Sequence, residues 1–379
     1  IPGGLPELVC ARDTAYGYYQ ATGDPTRPWL WHAVSPEREA AKPFGHGLGV
    51  GDVNGDGRLD VIERLHWYEQ PKGAASGLPL WKKHRWAGAQ YPGGAQILAT
   101  DVDLDGDTDL VTSLAAHGHG LAWFEQTEPG SFARHDLMGT KSTDNPYGVC
   151  FSQLHALALA DIDGDGREDL VTGKRWYAHN SKDAGGLESA LLYWFRLTGK
   201  GKQVEFVPHL VHADSGVGVE VKVADLNADG RLDIVSSNKK GLAIHLQGEG
   251  TALATAAEQR WKRPGTSQDR YGSNLDAGQA LKRMAGPDGF AVDLIAAEPD
   301  LVQPIAMCFD ARGRIWVVEG LTYPQPAPKG QGKDRIVIFE DADGDGSFET
   351  RKVFAEGINL ASGIEVGFGG VWVGAAPYL

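Results

Sequence analysis

The sequence predicts an all-β protein: a β-propeller of four-stranded blades carrying acidic loops, followed by the first blades of a second β-propeller. Three observations lead there. Glycine makes up 51 of 379 residues, well above the usual ~7% and in keeping with many tight turns. An acidic nonapeptide returns five times. Short runs of alternating apolar residues flank its copies, with no helical period. The formal charge of −14, from 36 Lys plus Arg against 50 Asp plus Glu, argues against a nucleic-acid groove, which needs a basic surface. Eleven Trp and 42% hydrophobic residues provide for sizeable cores. No apolar stretch reaches ~18 residues, so no helix is expected to span a membrane. Three widely spaced cysteines, Cys10, Cys150 and Cys308, support neither a disulfide framework nor a zinc knuckle. Cys308, in IAMCFD, reads as a small core residue. Any export signal is expected to lie outside this sequence, because no charged-then-apolar leader precedes the repeats.

The nonapeptides are DVNGDGRLD at 52–60, DVDLDGDTD at 101–109, DIDGDGRED at 161–169, DLNADGRLD at 225–233 and DADGDGSFE at 341–349. Each places Asp first, Asp or Asn third, Asp fifth, Gly sixth and an acid ninth. Twenty of the fifty acids sit in these loops, and the rest of the chain is slightly basic. Oxygens at positions 1, 3 and 5 of a tight loop converge on one point. Gly at 6 lets the backbone reverse, and calcium takes six to eight hard oxygens at ~2.3–2.6 Å. The expected calcium ligands are therefore Asp52, Asn54, Asp56 and Asp60; Asp101, Asp103, Asp105 and Asp109; Asp161, Asp163, Asp165 and Asp169; Asp225, Asn227, Asp229 and Asp233; and Asp341, Asp343, Asp345 and Glu349. Asp-Gly and Asn-Gly also serve as plain turn residues, but five copies in one register favour the metal. An EF-hand needs Glu at position 12 and flanking helices. Only Glu63 matches, while Thr112, Thr172, Ser236 and Lys352 do not. The β-type flanks, such as AQILAT and LVTS, complete the rejection.

The first four loops start 49, 60 and 64 residues apart. After each comes a second strand and then an aromatic third strand: HWYEQ, LAWFEQ, LLYWFRL and, more weakly, LAIHLQ. A fourth strand carries aromatic-x-x-His, as in Trp81 to His84, Phe132 to His135 and Phe206 to His209; Trp29 to His32 repeats it earlier. Four strands recurring every ~50–60 residues indicate a propeller blade. Residues 4–9 align with 57–62, so the sequence opens inside a blade, and further blades are expected before it.

These residues resemble the FG-GAP/VCBS repeat family, the calcium-loop propellers of integrin heads and many secreted bacterial proteins. The resemblance covers about 1–250. It implies calcium bound between the first two strands of each blade, in a family used for adhesion, for glycan or protein recognition and occasionally for polysaccharide cleavage. Residues 251–285 lack strand alternation and read as a linker with a short helix at 276–284. From 286 to 379 strands resume, with CFDARGRIWVVE as an apolar hairpin. GFAVDLIAAEPDLVQPIAMCFDARGRIWVVEG through GIEVGFGGVWVGAAPYL is similar to the start of the putative membrane-bound dehydrogenase family, PVC-type haem-binding proteins on a glucose/sorbosone-dehydrogenase-like propeller. That resemblance implies a quinone-type sugar-dehydrogenase scaffold followed by a c-type cytochrome. C-x-x-C-H is absent from the sequence, and no catalytic residue carries over.

Candidate ligand-facing residues fall at two repeated positions. His46 and His155 stand six residues before their loops and Glu220 five before its own. First strands line a propeller's channel, so these groups either face a ligand or satisfy backbone near the axis. After the second strands come Arg64, His117 and His119, Lys174, Arg175 and Trp176, and Lys239. Such residues suit an anionic or sugar ligand, with Trp stacking on a pyranose and cations pairing with carboxylates; they also suit solvated loop ends. His117 and His119 offer a weak metal pair. His32, His84, His135 and His209 share one strand position and read as structural. G-x-S-x-G is absent, and the G-x-G-like GVGDVNGDG leads into a loop and not a helix, so neither nucleophilic catalysis nor a dinucleotide site is expected. The expectation is a secreted, periplasmic or cell-surface recognition or scaffolding module for carbohydrate or protein. A fragment of a sugar-oxidising dehydrogenase and a calcium-dependent polysaccharide lyase or hydrolase are the alternatives.

Overall fold

The structure is a computed structural model describing residues 7–24, 27–37, 46–73, 80–86, 93–248, 278, 281, 290–367 and 369–375. It is all-β, a β-propeller of four-stranded blades, and divides into two compact units. The first comprises Ile1–Thr140 with Thr198–Val204. In it β1 (Glu7–Arg12), β2 (Ala15–Gln20) and β3 (Leu30–Ala33) form a three-stranded sheet. Two antiparallel four-stranded blades follow: β4 (Leu48–Gly51), β5 (Asp60–Glu63), β6 (His66–Glu69) and β7 (Lys82–Arg85), then β8 (Ile97–Thr100), β9 (Asp109–Ser113), β10 (Leu121–Glu128) and β11 (Ser131–Met138).

The second unit comprises Lys141–Leu197 with Glu205–Leu379. Its first blade is β12 (Leu157–Ala160), β13 (Asp169–Gly173), β14 (Leu192–Thr198) and β15 (Glu205–His212). The next is β16 (Val221–Ala224), β17 (Asp233–Asn238), β18 (Gly241–Gln247) and β19 (Phe290–Ala296). A third is β20 (Pro304–Phe309), β21 (Ile315–Glu319), β22 (Asp334–Glu340) and β23 (Thr350–Ile358). β24 (Ala361–Gly367) and β25 (Gly370–Ala375) make a two-stranded sheet.

The second strands are buried along their whole length, DVIE, DLVTS and DLVTG alike. Within each unit they lie in apolar cores that join consecutive blades. Ile62 and Trp67 pack with Ile97, Leu110 and Phe124; Val171 and Trp194 pack with Val221 and Ile234; Val235 and Ile244 pack with Met307 and Val317. Inner strands approach closely: a Cβ on Gly49 of β4 would stand 2.2 Å from the Ile97 carbonyl oxygen of β8. Glycine is needed there for space. Cys308 is buried beside Trp316 and Val318, and burial pushes its thiol up to about 12.

The repeated histidines are structural. Each stacks on an aromatic ring of the third strand: His32 on Tyr18 (4.8 Å between centroids), His84 on Trp67 (4.1 Å), His135 on Trp123 (4.5 Å) and His209 on Trp194 (4.7 Å). In the first unit these are direct cross-strand partners, the pairs that stabilise a sheet face.

Two expectations about the C-terminal third need correction. FAVDLIA, expected to open a second propeller, is β19 and pairs antiparallel with β18. It supplies the fourth strand that the LAIHLQ blade lacked, because a ladder needs only backbone donors and can take an edge strand from far along the chain. The boundary placed at 251–285 therefore falls inside a blade, and 205–379 belongs to one compact unit. Most of that segment lies outside the described residues; of 276–284, Gly278 and Leu281 are helical.

His245 and His209 are buried with neither ring nitrogen hydrogen-bonded. Burial first, then His212, lowers the His245 pKa to about 3; burial and Arg196 lower that of His209 to about 4. The unfolded chain takes up these protons near the ordinary 6.5 while the folded chain refuses them. Each group thus removes stability as pH falls from 6.5 towards its folded pKa, by about 1.4 kcal/mol per pH unit. His245→Leu is expected to stabilise the fold at pH 7 by about 1–3 kcal/mol of relieved desolvation, read as a higher melting temperature, and to flatten the loss between pH 6.5 and 4. Melts across that range check it; a lower melting point with an unchanged slope contradicts it.

Candidate functional site

Four acidic loops close hairpins of one design. The residue before each loop pairs with its ninth: Gly51 with Asp60, Thr100 with Asp109, Ala160 with Asp169 and Ala224 with Asp233. The first Asp accepts N–H groups from positions five and six, as Asp52 does from Asp56 (3.0 Å) and Gly57 (2.7 Å). Position six is glycine at φ between +82° and +99° in all five loops, a left-handed turn that a Cβ opposes.

The ninth carboxylate has a role the spacing did not reveal. Asp60 accepts the N–H of Val53 (3.0 Å) and Gln70 (2.8 Å), Asp109 those of Val102 (3.0 Å) and Gln126 (2.7 Å), Asp169 those of Ile162 (3.2 Å) and Leu197 (2.7 Å), and Asp233 those of Leu226 (2.9 Å) and Gln247 (2.8 Å). One side chain ties the loop to the end of the third strand. Burial raises these carboxyls, to about 6 for Asp60 and Asp169 and about 7 for Asp109, against the two N–H bonds that lower them.

Carboxylate oxygens of Asp101, Asp103 and Asp109 lie within 4.8 Å of one another, as do those of Asp161, Asp163 and Asp169, and those of Asp341, Asp343, Asp345 and Glu349. An all-oxygen donor set of this kind fits calcium. The loops differ in how much charge they already neutralise. Arg58 pairs with Asp56, Arg231 with Asp229, and Arg196 with Asp163. Loop 101–109 holds five acids and no ion pair among the described residues. Burial and the Asp105 and Asp103 charges raise Asp107 to about 6 there. The fifth loop is placed differently. Glu340 pairs with Thr350 across it, so it joins the third and fourth strands of its blade, while the first hairpin of that blade turns at Asp310–Arg314.

The residues after the second strands part company. Lys174 is fully buried. Its Nζ donates to Ser152 Oγ (3.1 Å), which donates to the Ala184 carbonyl (2.6 Å), and burial lowers its pKa to about 8. It braces the connection between β13 and β14 and presents nothing to solvent, contrary to expectation. Arg175 and Trp176 are half-buried and Tyr177 exposed. Burial lowers the Arg175 pKa, opposed by Asp183 and Tyr323, yet no carboxylate among the described residues forms an ion pair with its guanidinium. Lys239 from the next blade donates to the Tyr177 carbonyl (3.2 Å) and lies 5.3 Å from the Tyr177 ring centroid. Burial and Arg175 lower its pKa. Lys240 lies 4.9 Å from the Trp176 ring and pairs with Asp214. The backbone is left-handed at Tyr177, His179, Asn180 and Ser181 (φ 49° to 60°), a costly run for residues with side chains. Tyr177 and the left-handed run were missed in sequence reading; the signal available was the long 174–191 connection.

Of the remaining candidates, the Arg64 stem packs against the space left by Gly93, and Glu220 lies 3.9 Å from Lys222, with burial raising its carboxyl. His119 and His155 are half-buried. In the first unit, His46 Nε2 and His117 Nε2 stand 3.1 Å apart. The half-buried, unpaired Arg175 beside Lys239 and two aromatic rings is the arrangement best suited to an external ligand.

Residues 101–172 and 161–236 match the FG-GAP-like repeat, and 276–379 match a domain of unknown function (DUF7133). No curated protein matches the chain. Among solved structures, the chain is similar to an Agrocybe aegerita lectin described as recognising non-reducing terminal N-acetylglucosamine, at 16% identity and a TM-score of 0.49, over 93% of this chain and 81% of that one. It is also similar to the exotype rhamnogalacturonan lyase YesX, at 13% identity and a TM-score of 0.35, over 93% and 75%.

Asp169→Ala leaves the Ile162 and Leu197 N–H groups without an acceptor in the interior. The expected cost, measured in chelator so that only the hydrogen bonds count, is about 2–4 kcal/mol, read from urea unfolding. A loss below about 1 kcal/mol contradicts the bridging role.

Proposed function

We propose that this FG-GAP-repeat propeller is a calcium-stabilised recognition module that binds an acidic carbohydrate on the ledge of Arg175, Trp176, Tyr177 and Lys239. The observation that carries this reading is the Arg175 guanidinium, half-buried and free of any carboxylate ion pair among the described residues, with Lys239 adding to its field. Removing water from a guanidinium without pairing it costs free energy, and a bound anion returns it. Guanidinium binds carboxylate or sulfate through paired N–H groups. The exposed Tyr177 ring offers an apolar face to a sugar. Placing such a ledge on loops held by rigid sheets follows the usual division between scaffold and site.

The expected result on a glycan array is binding to uronic-acid or sulfated oligosaccharides in preference to neutral ones. Arg175→Ala and Lys239→Ala should each weaken it at least about tenfold, the loss of a charge-assisted hydrogen bond, with little change in melting temperature. No binding to any acidic glycan, or unchanged affinity in both variants, overturns the proposal. Lys174→Ala is a contrasting case, expected to destabilise the fold.

Calcium in the acidic loops is the second part of the proposal, supported by the converging oxygens and by the uncompensated charge of 101–109. When bound, the ion neutralises carboxylates that otherwise repel. Millimolar calcium should raise the melting temperature by mass action, and Asp101→Asn should remove part of that rise. A melt indifferent to chelator and to calcium overturns this assignment.

A further inference from the structure

His46 and His117 belong to consecutive blades of the first unit and point their ring nitrogens at each other. The Nε2 atoms are 3.1 Å apart, with the rings nearly perpendicular (85°) and their centroids 4.8 Å apart. We propose that this pair is the protein side of a divalent transition-metal site, of the imidazole-preferring class that includes Zn²⁺, Ni²⁺ and Cu²⁺. This site is separate from the acidic loops, whose oxygen donors suit a hard cation.

The separation is what one ion requires. Two nitrogens each ~2.0–2.1 Å from a metal stand about 3.3 Å apart in tetrahedral coordination and about 2.9 Å apart on one edge of a square plane. The observed 3.1 Å lies between the two. Perpendicular rings let both lone pairs meet at one point without the rings stacking.

The pair is also held in place before any ion arrives. The Gly47 N–H, next to His46, donates to the Ala95 carbonyl (3.1 Å). Gly47 has φ +87°, which turns the chain into β4. On the other side, Leu114 N–H donates to Gly120 O (2.9 Å), Ala116 N–H to Gly93 O (3.0 Å) and Gly118 N–H to Ala115 O (2.9 Å), so the 114–120 turn is pinned at three points. Both imidazoles are half-buried, leaving a path for an ion. Backbone-anchored ligands lose little freedom on binding metal, the main requirement of a preorganised site. Two protein ligands leave coordination positions for water or for an oxygen of a bound molecule, as in open metal sites.

The test uses the full chain, stripped with chelator and then held in millimolar calcium to occupy the acidic loops. Titration with Cu²⁺, followed by electron paramagnetic resonance, should show one tight equivalent with nitrogen superhyperfine splitting; Zn²⁺ should compete for it. His46→Ala and His117→Ala should each weaken binding at least about tenfold. His117→Gln, which keeps a polar side chain on the turn, serves as a second variant, with the melting temperature in metal-free buffer as the folding control. Asp101→Asn, which leaves the imidazoles untouched, should keep the copper signal. A spectrum with oxygen ligands only, or unchanged affinity in the folded histidine variants, overturns the proposal and leaves the pair as an N–H···N hydrogen bond between neutral rings.

Discussion

A buried carboxylate closing the first hairpin of four blades is the constraint on which most of the structure depends. Asp60, Asp109, Asp169 and Asp233 each accept one N–H from inside the loop and one at or near the end of the third strand. Loop conformation, strand register and the geometry of the charged cluster are thereby coupled. If the loop shifted by one residue, the ladder pairing of Gly51 with Asp60 and its counterparts would break, and buried N–H groups would lose their acceptor. The carboxylate stays in place despite the cost of burial because two N–H bonds offset part of it. The acidic residues at positions one, three and five are brought together as a consequence.

Histidine takes several physical roles among the described residues, and three of them stand out. At the repeated fourth-strand position it is a flat ring that covers an indole or phenol. His245 is enclosed beside the His212 ring with no hydrogen-bond partner among the described residues, and burial holds it neutral. His46, just before β4, and His117, on the 114–120 turn, have their Nε2 atoms 3.1 Å apart.

The 174–191 connection shows how one blade departs from its siblings. Lys174 turns inward and braces the connection through Ser152. Arg175, the next residue, is half-buried. Neighbouring cations in one sequence motif thus have unlike surroundings, one fully buried and hydrogen-bonded to Ser152, the other half-buried with no carboxylate ion pair among the described residues. Lys239 and Lys240 reach the same ring pair from the next blade, so the ledge depends on blade-to-blade packing within the second unit.

The sequence alone determined what short-range chemistry controls. Period-two alternation located the strands, the 1-3-5-6-9 register located the hairpins and their converging oxygens, and aromatic-x-x-His located the outer strands and the structural role of their histidines. Each follows from neighbours a few residues away, through pleat geometry and glycine's access to positive φ. Only the tertiary structure decided the rest. It placed Phe290–Ala296 beside Gly241–Gln247 across some forty intervening residues, set the fifth loop between third and fourth strands, buried Lys174 while leaving Arg175 accessible, and brought His46 to His117 across 71 positions. Nothing local distinguishes these outcomes. An edge strand accepts any partner with free backbone groups, and a side chain's exposure depends on what the neighbouring blade brings against it.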